Sequence, residues 1–300
     1  MAKTKQFDSP PGSLGLYARA AAPMIPGASV LPFVGGGGGS IPDLELQLTD
    51  VAIDTDHLAR YARVCGFRLA DTLPVTYPHI LAFPLHMALM TDSGFPFGPV
   101  GLVHIENRIV QHRRIPVGER LDLTVRATPL EDHPKGRQFT LVSEARVSGE
   151  LVWEDYSTNL RIGGGSGESK DKKGRKEPPP ESASWKLDGG LGRRYASVSG
   201  DRNPIHMHDL SAKLFGFPRA IAHGMWTKAR SVAALESRLP AGYEVDVAFK
   251  KPILLPATVT FGSAEERGGT RFSVRDRKGA PHLDGTIRPA KKAPGQRKTK

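Results

Sequence analysis

The sequence has one cysteine among 300 residues, and no apolar run approaches the ~18 residues that are needed to cross a bilayer. Because Cys65 alone cannot form an intrachain disulfide, the sequence predicts a protein of a reducing compartment, the cytoplasm. Residues 1–30 also contain no unbroken apolar stretch of the signal-peptide kind. We expect Cys65 to be a buried core residue, with a reactive thiol as the alternative.

Aromatic residues are also scarce, at 7% of the chain, and hydrophobic residues make up 39%. Glycine (33) and proline (25) are abundant, which predicts folded cores separated by flexible segments. The net charge is +11, but residues 288–300 supply six of these charges and contain no acid. This tail has no aromatic residues for base stacking, so nucleic-acid binding is not predicted. The mildly basic remainder suits an anionic ligand or an acidic protein partner.

Three segments have the composition of linkers: residues 1–43, residues 163–184 and residues 289–300. The first includes a pentaglycine, residues 35–39, which lacks the Gly-Lys-Ser/Thr ending of a phosphate-binding loop. We therefore interpret it as a linker. Two bodies remain, residues 44–162 and residues 185–288.

The two bodies have similar sequences. Tyr61 begins the stretch YARVCG and Tyr195 begins YASVSG, at an offset of 134 residues, while Ile115 and Ile253 occupy similar segments at an offset of 138. An offset that stays nearly constant indicates a duplicated unit.

Each unit has the same predicted plan. An amphipathic helix comes first, and in the first unit it follows Asp54, a good N-cap residue. A more apolar helix follows, over residues 224–239 in the second unit, and then a run of strands. One long helix followed by several strands predicts an α+β fold in which an antiparallel sheet wraps around a helix.

The stretch YASVSGDRNPIHMHD, residues 195–209, places Asp201 and His206 five residues apart. Gly200 and Pro204 disfavour a regular helix or central strand here, so the two groups are predicted to lie on an irregular loop. A carboxylate and an imidazole on such a loop can hold one water and transfer protons near neutral pH. Alternatively, Asp201 and Asn203 simply build a turn through their side chains.

Three histidines near this loop, His206, His208 and His223, raise the alternative of a zinc site. His206 and His208 lie only two residues apart and no cysteine accompanies them, so a metal is not favoured. No organic cofactor is expected either. The stretch His104–Asn107, HIEN, in the first unit is interpreted as structural or substrate-lining.

The stretch SGDRNPIHMHDLSAKLFGFPRAIAHGMWT, residues 199–227, resembles the signature of MaoC-like, (R)-specific enoyl thioester hydratases. The two-unit layout and the phrases AKLFGFPRAIAHGM and KKPILLPAT resemble actinobacterial (3R)-hydroxyacyl-thioester dehydratases of fatty-acid metabolism. The resemblance covers roughly residues 50–288. It implies a double hot-dog fold, with two antiparallel sheets each wrapped on a long helix. It also implies reversible hydration of trans-2-enoyl thioesters of coenzyme A or acyl carrier protein.

By the same resemblance, Asp201 and His206 would activate the water and the Gly224 amide would bind the thioester oxygen. Gly224 is predicted to begin the apolar helix, where an unpaired amide and the helix dipole suit an oxyanion. Asn203 and His223, in the same motif, are expected to contact substrate.

The first unit departs from the motif, with Phe67 in place of the catalytic aspartate and Phe83-Pro84-Leu85 in place of His-Gly-Met. It is therefore interpreted as a degenerate copy without an acid–base pair. Its apolar residues, Phe83 above all, are predicted to form a wall of the acyl channel.

Four basic residues, Arg193, Arg194, Lys250 and Lys251, are predicted to meet the phosphates of coenzyme A or the acidic face of a carrier protein, with ordinary solvated charge as the alternative. Thioester hydrolysis and non-enzymatic acyl-thioester binding are the alternative functions, and the Asp–Asn-Pro–His loop favours the hydratase. One chain supplies two units, so a monomer would be structurally complete, and a homodimer stays open.

Overall fold

The computed structural model describes residues 3–21, 39–165 and 177–291. Most of the pentaglycine, half of the predicted linker 163–184 and most of the basic tail lie outside these ranges, so their predicted roles stay predictions. Within the described ranges, no helix is both long and apolar enough to cross a membrane.

The first unit contains two helices and six strands. The amphipathic helix α2 begins where predicted, because the Asp54 carboxylate accepts a hydrogen bond from the His57 amide at 3.0 Å and caps it. Cys65 lies in its buried face, as predicted. The chain begins with a short strand β1 (Lys3–Phe7) and a helix α1 (Ser13–Ala21). The first unit follows: β2 (Leu44–Val51), α2 (Thr55–Cys65), α3 (Tyr77–Met90), β3 (Leu102–Gln111), β4 (Leu121–Ala127), β5 (Glu131–His133), β6 (Gly136–Val147) and β7 (Glu150–Ile162).

The second unit has the same kind of order: β8 (Glu181–Leu187), α4 (Leu191–Ser199), α5 (Pro204–Met207), α6 (Asp209–Leu214), α7 (Gly224–Ala233), β9 (Tyr243–Phe249), β10 (Ala257–Glu266), β11 (Gly269–Asp276) and β12 (Pro281–Pro289). The predicted strands agree with β9 to β12. Helix α7 is shorter than the predicted 224–239, because a 3₁₀ turn over Glu236–Arg238 replaces its last part before Pro240.

One continuous sheet joins the units, in the order β1-β2-β4-β6-β7-β3-β9-β12-β11-β10-β8, with β5 attached to β6. Strands β3 and β9 pair antiparallel at the centre, where Ile109 lies opposite Val245. On each side of this pair the strands follow in the same topological order. The halves pack around α3 and α7, so the α+β double hot-dog fold is confirmed.

The N-terminal part differs from the flexible segment expected over residues 1–43. Strand β1 (Lys3–Phe7) pairs parallel with β2, and α1 (Ser13–Ala21) packs on the body with Leu16 and Ala20 buried. The proline-rich composition hides this short amphipathic pattern. Docking on the folded units, and not local propensity, supplies its stabilisation.

Candidate active site

The Asp201 loop begins where α4 ends. Gly200 adopts a left-handed conformation, φ 75°, which a side chain would strain, and thereby turns the chain out of the helix. The Asp201 amide then donates to the Ser199 hydroxyl at 3.2 Å, and Asp201 Oδ1 accepts from the Asn203 amide at 3.1 Å. Asp201 therefore does build a turn, through Oδ1, and its Oδ2 takes no part in that turn.

Asn203 is the N-cap of the short helix α5, and its Oδ1 accepts from the Ile205 amide at 3.3 Å. This cap places His206 on the inner face of the loop, where it is 8% exposed. Its Nδ1 lies 2.8 Å from the carbonyl oxygen of Ile221. Since a carbonyl only accepts, Nδ1 carries the proton, and Nε2 of the neutral ring is a free acceptor.

His223 stacks on His206, with ring centroids 3.6 Å apart and planes inclined by 25°. Its Nε2 donates to the Asp201 carbonyl oxygen at 3.0 Å and lies 3.7 Å from Asp201 Oδ2. Its Nδ1 is buried without a hydrogen-bond partner among the described residues. His223 thus holds the backbone of Asp201 by a hydrogen bond and the ring of His206 by stacking.

The charge states at neutral pH follow from burial and from the neighbouring groups. Burial raises the pKa of Asp201, but His223, His206 and the Asn203 amide outweigh this, so its pKa lies below the usual value. Burial lowers the pKa of His206, and burial together with His206 lowers that of His223 to about 3. Asp201 is therefore a carboxylate, and both imidazoles are neutral.

The same three residues form a possible cation site, with one ligand atom from each within 4.8 Å of the others. The stacked rings argue against zinc, since ring lone pairs lie in two nearly parallel planes and do not converge as tetrahedral coordination requires. His208, the third histidine of the predicted alternative, is exposed. The arrangement suits a water held between two acceptors.

Gly224 is the first residue of α7, so its amide has no partner carbonyl one turn earlier in the helix. A Cβ at this position would come within 3.0–3.2 Å of the Phe249 ring, which explains the glycine. Gly224 lines the same cavity as Asp201 and His206, and the positive end of the helix dipole lies at this residue.

A cavity of about 1010 Å³ connects these groups and is lined by both units. All eight residues predicted from the sequence to act or to bind substrate line it: Asp201, His206, Gly224, Asn203, His223, Phe83, Lys250 and Lys251. Of the other two basic residues, Arg194 pairs with Asp188 at 2.6 Å and Arg193 donates to the Met207 carbonyl, and neither lines this cavity.

The first-unit wall contains Phe83 but not the other apolar residues that were named from the sequence. Phe83 lines the cavity, but Phe67 stacks on Tyr61 in the core and Leu85 is fully buried outside it. Pro84 lies inside α3, so the segment matched to His-Gly-Met is in the middle of a helix and not at its start.

The sequence also failed to indicate that His79, which lines the cavity, is hydrogen-bonded to Asp155 behind it, with Nδ1 and Oδ2 2.6 Å apart. These two residues do not occupy the positions matched to the motif, so the interpretation of the first unit as a degenerate copy stays a prediction. The one local signal was two histidines in an otherwise apolar helix, at positions 79 and 86. Tyr17 of α1, which lines the cavity beside the Asp201 loop, had no signal of this kind.

The fold and this site define a class of protein: residues 175–280 match the family described as "MaoC like domain". The chain is 40% identical to 3-hydroxyacyl-thioester dehydratase X of Mycobacterium tuberculosis, over 83% of this chain and 90% of that protein. It superposes on the crystal structure of HtdX from the same organism with a TM-score of 0.73 and 38% identity, covering 82% of this chain and 100% of that one. It is also 28% identical to a peroxisomal enoyl-CoA hydratase 2 of Arabidopsis thaliana, over 61% and 64% of the two chains. The chain belongs to the MaoC-like dehydratase family.

Proposed function

We propose that the chain catalyses the reversible addition of water to trans-2-enoyl thioesters, giving (3R)-3-hydroxyacyl thioesters. One observation carries the proposal: two hydrogen-bond acceptors, the Asp201 carboxylate and His206 Nε2, lie close together in the cavity. A water between them donates one hydrogen to each and keeps an oxygen lone pair for the substrate Cβ. The similarity to proteins named dehydratase and hydratase supports this reading.

In this mechanism the thioester oxygen binds the Gly224 amide. As the water oxygen bonds to Cβ, the C2=C3 electrons move toward the carbonyl, and the amide and helix dipole stabilise the oxyanion. One such donor contributes about 3–4 kcal/mol in other enzymes. Asp201 and His206 together take one proton from the water and then deliver one proton to Cα. Their protonation state after the reaction is therefore the same as before it. The reverse steps describe dehydration.

The rim of the cavity supports an anionic carrier. Lys250 and Lys251 are exposed there, and their backbone is held by His282 and Pro281: the two amides donate to the carbonyls of these residues, and the Lys251 carbonyl accepts from His282 Nδ1. Arg202 is a third exposed cation on the lining. We infer that these three meet phosphate groups of coenzyme A or of a carrier-bound phosphopantetheine.

The test is incubation of the purified chain with crotonyl-CoA, followed by the loss of the enoyl absorbance and by chromatography of the product. We expect 3-hydroxybutyryl-CoA of (3R) configuration and no free thiol. Free thiol without hydrated product would indicate thioester hydrolysis, and neither product would leave a binding role; either result contradicts the proposal.

A further inference from the structure

The first-unit wall of the cavity includes five polar side chains that the proposed reaction does not use, set among apolar ones such as Ile80, Met87 and Leu141. Three elements supply the polar ones, α3, β3 and β7. The lining members are His79, His86, His104, Ser157 and Asn159. A few placed polar groups in a mainly apolar pocket fix the orientation and the specificity of its ligand, so these five side chains indicate more than a channel for a plain alkyl chain.

His79 is the best-ordered member of this wall. Asp155, fully buried, bonds to its Nδ1 at 2.6 Å, and the Asn107 amide donates to the carboxylate from the other side. Lys228, on the central helix of the second unit, donates in turn to Asn107 Oδ1 and to the carbonyls of Asn107 and Val245. The buried Asp155 carboxylate thus accepts hydrogen bonds from His79 and Asn107. The chain of hydrogen bonds that begins at Lys228 ends at the His79 ring, which lines the cavity.

The direction of these bonds leaves one atom of His79 available. His79 and Lys228 hold the pKa of Asp155 down to about 2 against the effect of its burial, so the carboxylate is ionised and accepts only. Nδ1 must therefore carry the proton shared with it. No described residue bonds to His79 Nε2, and the ring lines the cavity.

His104 provides a second unsatisfied atom nearby. Its Nε2 is buried and has no partner among the described residues. Its ring lies 4.9 Å from that of Phe249, the residue that packs against Gly224. On the opposite side, the ring of Phe83 separates Gly200 from His86, with Phe83 and His86 centroids 6.3 Å apart. A single aromatic ring, Phe249 or Phe83, thus lies between these polar side chains and the residues of the catalytic site.

An alkyl chain against this wall would displace water from His79 Nε2 and give no hydrogen bond in return. Leaving a buried polar group unsatisfied costs about 1–3 kcal/mol. A site of this kind discriminates against a ligand that lacks the matching polar group. A hydroxyl suits His79 best, since it both donates and accepts a hydrogen bond and so can pair with Nε2 in either protonation state of the ring.

We propose that the first unit forms a subsite, centred on His79 and His104, for a hydroxyl group carried along the acyl chain. This substrate class deepens the proposed function, on which it rests for the orientation of the thioester toward Gly224. The first unit is then a recognition element for oxygenated acyl chains.

The test is an equilibrium binding measurement with saturated thioesters, which the proposed reaction cannot turn over. Decanoyl-CoA is compared by calorimetry with a positional series of hydroxydecanoyl-CoAs, hydroxylated at C5 to C10. We expect at least one position to bind about tenfold more tightly than decanoyl-CoA. We expect His79→Leu to remove most of this gain. Because the readout is binding, loss of the subsite and absence of hydratase activity are separate results.

The matched control is His112→Leu. His112 Nε2 pairs with Glu154 Oε2 at 2.8 Å between the same two strand regions, next to Asp155 in sequence, but outside the cavity lining. The hydroxyl gain should survive in this variant. His104→Leu is the second variant in case His79→Leu, which leaves Asp155 short of a partner, does not fold. No gain at any position, or a gain that persists in the folded His79 or His104 variant, overturns the proposal.

Discussion

The hydroxyl of Tyr17 bridges the two peptide groups that flank Asp201. It donates to the Gly200 carbonyl at 2.7 Å and accepts from the Arg202 amide at 2.6 Å. A residue far away in sequence thus fixes the backbone of the Asp201 loop from outside the second unit. The N-terminal helix α1 is therefore part of the site's support, although it contributes no reacting group.

From this contact we expect Tyr17→Phe to lower kcat about 3- to 10-fold with little change in KM. The estimate corresponds to the loss of one or two hydrogen bonds worth about 0.5–1.5 kcal/mol in total. Steady-state kinetics with crotonyl-CoA measures the split, and the melting temperature checks the fold. Tyr156→Phe, which removes a hydroxyl bonded to Glu154 away from the cavity, is the control. An equal kcat in both variants would contradict a positioning role for Tyr17.

Asp201→Asn and His206→Gln are each expected to lower kcat by at least about 10², because either change removes an acceptor for the water protons. Neither should unfold the protein, since both new side chains are close in size to the old. His208→Gln, in the same segment but exposed, should leave the rate unchanged. If either of the first two variants keeps nearly full hydratase activity, that residue has no part in the proton transfer.

Stability should fall as the pH drops below about 6.5. Burial lowers the pKa of His86 to about 3 and that of His104 to about 4, and His223 likewise has a pKa of about 3. Below pH 6.5 these imidazoles bind protons in the unfolded chain but stay neutral in the folded protein. The free energy of unfolding therefore falls by up to about 1.4 kcal/mol per histidine per pH unit. Urea unfolding at pH 7 and pH 5 measures the difference. His86→Gln should reduce the pH dependence and His208→Gln should not; a free energy of unfolding that is the same at both pH values would refute it.

Phe83→Ala is expected to shift the preferred acyl length more than it changes the rate on crotonyl-CoA. The ring lines the cavity, and its removal enlarges the space between α3 and the catalytic loop. A series of trans-2-enoyl-CoAs of increasing length gives kcat/KM for each. Phe67→Ala, which removes a phenylalanine from the core of the same unit, should lower stability without changing the length profile. Abolition of crotonyl-CoA turnover in a folded Phe83→Ala protein would place the first unit in the chemistry itself.

The parts of the molecule that the sequence predicted are those with local signals. The Asp54 cap set the start of α2, alternation and turns set β9 to β12, and one continuous motif held Asp201, His206 and Gly224. Their proximity needs only a loop and the helix that follows it.

The parts that the sequence did not predict depend on contacts between distant segments. His79 meets Asp155 across 76 positions, and Tyr17 meets Gly200 across 183. Neither partner alone has an unusual pattern: Asp155 lies in an alternating strand, and Tyr17 lies between proline- and glycine-rich stretches. Only the folded sheet and the docked helix bring these pairs together, so local patterns predicted no more for the first unit than an apolar wall of the acyl channel.

The central pairing of β3 with β9 has an evolutionary consequence. If two identical chains met along such strands, each substitution would appear twice, once on either side of the symmetry axis. Here the two halves are encoded separately within one polypeptide, so a mutation changes one side alone. Selection can then keep the residues proposed for proton transfer in the second half while substitutions in the first half change which ligand it binds. The two halves of one cavity can thereby come to serve different purposes.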